Sequence, residues 1–129
     1  MKLPVDDKVQ IIEADDQCPS LPLVEGEGDA RAVVWPGIGA QMRSVHVIEL
    51  GPGAHTKPQQ HPMEAVYYVI EGDAVALDPS DGSRQAAVVG SMIFVEPDTA
   101  YEIHADGGRV KLVGGPCPPD PTLYEHLAR

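Results

Sequence analysis

The residues of this chain best suited to chemistry are imidazoles, carboxyls and an amide set two positions apart. Gln59-x-His61 and Glu102-x-His104 are polar pairs at i and i+2, a spacing that puts both side chains on one face of an extended segment. Two histidines and a carboxylate around open positions suit Fe, Mn, Ni or Zn as divalent ions, with Gln59 as a weak neutral fourth ligand. An ordinary imidazole titrates near ~6.5, so His61 is equally suited to shuttling protons, with Glu102 as ligand or acid–base carboxyl. The other use of the same groups is a metal-free polar pocket in which Glu102 and His104 hydrogen-bond His61 and Gln59. In either case, burying so many polar groups costs free energy unless they pair with each other, a metal or a ligand.

Strands must position these groups. Val66 to Ile70 is β-branched and aromatic, which reads as a strand. The turn Gly51-Pro52-Gly53 leads into this region and Gly72-Asp73 closes it. If Gln59 and His61 point inward, alternation takes Ala65, Tyr67 and Val69 inward as well. On a partner strand over 100–104, the matching set is Ala100, Glu102 and His104, leaving Tyr101 and Ile103 on the other face. Further strands are predicted at Val9 to Ile12, Arg31 to Trp35, Ser44 to Leu50, Ala74 to Leu77, Gln85 to Val89, Met92 to Val95 and Val110 to Val113. About nine short strands separated by turns indicate a closed or sandwiched all-β architecture. Gly114 to Pro119 is too rich in Gly and Pro for regular structure. Asp120 then offers an N-cap, Pro121 a first helical position, and Leu123 and Leu127 one apolar stripe for a short helix.

The chain has 129 residues, with 20 acidic and 9 basic side chains and a net charge of −11. That field repels phosphate backbones and acidic lipid surfaces, which argues against nucleic acid and membrane partners. The start, Met1-Lys2-Leu3-Pro4-Val5-Asp6-Asp7, has no apolar core of a secretory signal, so a cytoplasmic location is expected. Cys18 and Cys117 lie outside any Cys-x-x-Cys pattern and read as free thiols, with a clasp between the terminal segments as the alternative.

The arrangement resembles the cupins. Their first motif runs Gly, five residues, His-x-His, three or four residues, Glu, six residues, Gly; Gly53, His61 and Gly72 match it. Their second runs Gly, five residues, Pro-x-Gly, two residues, His, three residues, Asn; Gly90 and Pro97 match it with one extra residue between them. Three ligand positions depart. Gln59 replaces the first His, Ala65 replaces the Glu, and Glu102 falls at the second-motif His, with Asp106 at the Asn. Glu64 is one residue early and points away from His61 unless the strand bulges.

The resemblance implies an all-β, cupin-type double-stranded β-helix (jelly-roll) barrel with a short C-terminal helix. It implies one domain over 1–129: an arm with one strand (1–28), the barrel (29–113) and a Pro-rich tail and helix (114–129). It also turns His46, Ile48 and Leu50 inward, with His46 and Tyr67 contacting substrate. The implied function is to bind a small polar or carboxylated molecule in the barrel, with metal-assisted oxygenase, isomerase, lyase or hydrolase chemistry. The alternative is a non-catalytic, metal-free binding or sensing module. A homodimer that exchanges the strand Val9 to Ile12 is the implied assembly.

Overall fold

A computed structural model describes residues 8–127. Ten strands follow in order: β1 (Val24–Glu25), β2 (Gly28–Val34), β3 (Val45–Leu50), β4 (His55–Thr56), β5 (Glu64–Glu71), β6 (Ala74–Asp78), β7 (Ser83–Ala87), β8 (Met92–Val95), β9 (Glu102–His104) and β10 (Val110–Cys117). They form two five-stranded antiparallel sheets, β2-β3-β10-β5-β8 and β1-β4-β9-β6-β7. The core lies between them, where one residue in two is apolar and buried. Ile48, Leu50, Tyr67, Val69, Ile103 and Leu112 fill it. On β3 and β5 the alternation is as the sequence predicts: His46, Ile48 and Leu50 are buried, as are Ala65, Tyr67 and Val69.

Three segments differ from expectation. Val9 to Ile12 forms no strand, and Val9 and Ile11 lie exposed; an apolar run becomes a strand only where a neighbouring edge pairs it. The short strands β1 and β4 were not predicted, because two residues carry too little pattern to read. The stretch predicted to be irregular after Val113 instead continues β10 to Cys117, paired with β5 throughout. Pairing with β3 stops at Gly114, so Pro116 sits where one of the two ladders has already ended, a position that tolerates a missing N–H.

After β10 the chain turns back over the barrel as a 3-10 helix, Pro121–Leu127. Asp120 caps it, its Oδ1 accepting the Thr122 N–H at 3.0 Å and the Thr122 hydroxyl at 2.8 Å. Tyr124 is buried against Trp35, ring centroids 5.3 Å apart. This segment closes the barrel, and through Asp120 it also reaches the interior.

Gly114 of β10 lies close against the backbone of β5. It adopts φ +147, and a Cβ there would lie 2.0 Å from the Val66 carbonyl oxygen. Gly114→Ala should therefore destabilise the protein by about 3 kcal/mol or more. Gly107, which has nothing within 4 Å of such a Cβ, should accept Ala within about 0.5 kcal/mol. Urea midpoints of the two variants provide the comparison.

Candidate functional site

A hydrogen-bonded chain of four side chains crosses the barrel interior. His61 enters from the segment before β5, and its Nδ1–H donates to Asp120 Oδ2 at 2.7 Å. Its other nitrogen, Nε2, accepts the Tyr101 hydroxyl at 2.9 Å. Tyr101 in turn accepts from the Tyr67 hydroxyl at 2.7 Å. Each partner fixes the next: a carboxylate can only accept, so Nδ1 carries a proton, and in the neutral ring Nε2 keeps its lone pair for the Tyr101 hydroxyl.

Gln59 lies beside this chain. Its backbone exchanges both hydrogen bonds with Tyr101, at 3.0 and 2.9 Å. Residues facing each other in this way share a sheet face. Its amide is buried, yet neither Nε2 nor Oε1 has a partner among the described residues. On β3, His46 Nε2 bonds the Tyr124 hydroxyl at 2.6 Å while Nδ1 is unpartnered. Leaving such groups unpaired costs roughly 1–3 kcal/mol each. A cleft of about 530 Å³ between β6, β7 and β8 has Ala87, Ile93, Thr99 and Tyr101 in its walls, and Tyr101 is the one member of the hydrogen-bonded chain that lines it.

The four-member set Gln59, His61, Glu102 and His104 does not converge. Gln59 and His61 are inside, whereas Glu102 and His104 point to the outer face of the second sheet, and Tyr101 and Ile103 occupy the inner one. The predicted facing was therefore inverted on β9, and the turn before it gives the reason. Asp98, not Thr99, takes the left-handed conformation at φ +62, and its N–H bonds the His61 carbonyl at 2.7 Å. Set on Asp98 as the turn glycine, the second motif runs from Gly90 with no extra residue and puts Tyr101 at the histidine position. A shift of one residue reverses every side chain on a strand.

Of the other predicted site residues, His46 and Tyr67 are interior as expected. His55 lies on β4, on the outer face with Glu102 and His104. Glu64 is exposed opposite Cys117 and makes no ion pair among the described residues. Both cysteines are free. Asp120 and Tyr124 were legible as helix residues only. No spacing rule ties them to His61 and His46, 59 and 78 positions away.

A model of the cupin domain matches residues 46–113, and the chain belongs to that family. The fold agrees with solved structures. The polyketide cyclase RemF from Streptomyces resistomycificus is 19% identical with a TM-score of 0.72, covering 88% of this chain and 82% of its own. A predicted oxalate decarboxylase from Thermotoga maritima is 14% identical with a TM-score of 0.68, covering 85% and 100%. An RmlC-like cupin from Shewanella frigidimarina is 17% identical with a TM-score of 0.66, covering 86% and 93%. No curated protein matches the chain. No helix among the described residues is long and apolar enough to cross a membrane.

Cupins often hold a metal inside the barrel, and the donors present here do not fit one. The four family ligand positions carry Gln59, His61, Ala65 and Tyr101. One is a methyl and one a neutral amide. The single imidazole has both nitrogens engaged. Burial pushes the Tyr101 phenol far up, with Tyr67 adding to it, so it stays a hydroxyl and not an anionic ligand. Burial likewise raises Tyr67. Burial acts to raise the Asp120 carboxyl, but the hydrogen bonds from His61 and Thr122 prevail and hold it below the ordinary range.

Burial, with His61 nearby, pushes the His46 pKa down to about 4. In the unfolded chain it lies near ~6.5. Between those values the unfolded state binds a proton that the folded state refuses, so stability falls as pH drops from 6.5 toward 4, by about 3 kcal/mol. Urea unfolding from pH 7 to pH 4 should show this loss, and His46→Gln should flatten that part of the profile.

Proposed function

We propose that the protein is an acid–base enzyme acting on a small polar or carboxylated molecule in the barrel, with no metal in the transfer step. The chain Asp120–His61–Tyr101–Tyr67, beside the unpartnered amide of Gln59, is the observation that carries this reading. A substrate hydroxyl or activated C–H at Tyr101 Oη gives up its proton to that oxygen as the Tyr101 proton passes to His61 Nε2. The imidazolium so formed is held by Asp120, which stays ionised and stabilises it as it develops. Return of the proton to another atom of the bound molecule completes an isomerisation, or the loss of a leaving group completes an elimination or dehydrative cyclisation. Gln59 offers an N–H to the substrate oxygen on which negative charge collects. Oxygenase chemistry is the part of the broader cupin range that this donor set supports least.

A non-catalytic binding module is the second reading. It is favoured by the complete pairing of His61, whose two nitrogens are already engaged. The two readings separate in one experiment: solvent deuterium exchange, followed by NMR, into a panel of small hydroxy, keto and uronic acids. A catalyst should exchange a panel member after exhaustive chelation. Tyr101→Phe and His61→Gln should each slow that exchange by about 10² or more. Ligands that bind without exchanging would establish the binding module instead.

A homodimer is part of the same proposal. Val9 and Ile11 are exposed on a segment with no strand partner, and Met92 and Phe94 are exposed on the edge strand β8. A second copy covers both by taking the arm as an added strand. Light scattering should give twice the chain mass. A monomer at micromolar concentration would overturn the assembly without touching the relay.

A further inference from the structure

The polar residues turned away from the barrel form a cluster of their own on the outer face of the second sheet. His55 of β4 and His104 of β9 are paired across the ladder, with rings stacked at 4.6 Å. Glu102 shares their face, its Oε1 2.8 Å from His104 Nε2 and 3.9 Å from His55 Nδ1. Glu25 of β1 is the other cross-strand neighbour of His55, its Oε2 3.7 Å from His55 Nε2. Asp106 Oδ1 lies 3.9 Å from His104 Nδ1. One donor atom each from His55, Glu102 and His104 lie within 4.8 Å of one another. Although they face outward, the side chains of Glu102 and His104 are only 14% and 16% exposed.

Three carboxyls thus surround two imidazoles, and among the described residues the only Arg or Lys ion pair on the cluster is Arg84 with Asp106. Surplus negative charge around imidazole donors is a ligand set awaiting a cation. We propose that His55, Glu102 and His104 bind a divalent transition metal of the Zn, Co or Ni type outside the barrel. Two nitrogens and one carboxylate suit these ions, whereas Ca and Mg favour all-oxygen shells. The His55 Nδ1–H donates to the Thr56 carbonyl at 2.8 Å, which leaves Nε2, now facing Glu25, with its lone pair in the manner of a metal-bound histidine once the ring turns toward Glu102. Entry of the metal exchanges the His104–Glu102 hydrogen bond for coordinate bonds and turns the rings out of their stack. Strand β4 has two residues and meets β9 at a single paired position, so the ion clamps the thinnest joint of the sheet. None of the proton-relay residues takes part.

The test is titration of untagged, chelator-stripped protein with Co(II), read by its visible absorption, and with Zn(II) against a chromophoric chelator. About one equivalent should bind, with affinity falling as pH drops, because protons compete with the metal for the ligand atoms. His55→Ala and His104→Ala should each weaken binding about tenfold or more, while His61→Gln binds like the wild type. Zinc should also raise the melting temperature of the wild type and not of His104→Ala. Circular dichroism identifies any variant that has failed to fold, and His104→Gln, which keeps shape and removes the donor, then takes its place. Absence of binding at 100-fold excess metal (a ratio of about 10²) overturns the site. So does binding that is lost in His61→Gln and kept in His104→Ala.

Discussion

The buried hydrogen bond between His61 and Asp120 is the contact on which the interior depends. It joins the segment entering β5 to the chain that follows β10, 59 residues later. It fixes the imidazole tautomer, which in turn makes Tyr101 a donor and Tyr67 a donor to Tyr101. Asp120 holds two roles at once, capping the 3-10 helix with Oδ1 and orienting His61 with Oδ2. A buried carboxylate is stable only with such charge-assisted partners. Asp120 therefore ties the returning segment to the hydrogen-bonded chain inside the barrel.

The same scaffold separates two kinds of polar chemistry by strand parity. On β9, Tyr101 precedes the strand facing inward, while Glu102 and His104 face out. Inside, one carboxylate, one imidazole and two phenols form a hydrogen-bonded chain. Outside, carboxyls outnumber basic partners and the imidazoles face one another. The first arrangement moves a proton along a line; the second offers several donors to one point. Low dielectric strengthens the inner hydrogen bonds, while partial exposure of the outer cluster leaves it open to an ion from solvent.

The barrel was legible because alternation and turn residues are local. His46, Ile48 and Leu50 on β3, and Ala65, Tyr67 and Val69 on β5, follow a period of two that the sequence carries without help. The site was half legible. Tyr67 was placed inside by alternation from an inward Gln59 and His61, and His46 by the resemblance to the cupins. Tyr101 was misplaced because the turn before β9 offered two anchors, Pro97 and Asp98, one residue apart. Only the backbone reveals that Asp98 takes the positive φ, and parity turns that single residue into a reversed face.

The sequence alone determined the all-β class, most of the longer strands, the family and the absence of the family's full ligand set, since all of these are properties of residue type and spacing. Tertiary structure decided which groups meet. Asp120 reaches His61, Tyr124 reaches His46 and His55 reaches His104 across gaps of 59, 78 and 49 positions (the last as 104 minus 55). Contacts over such separations are set by how two sheets and a returning tail pack, and no local pattern encodes them.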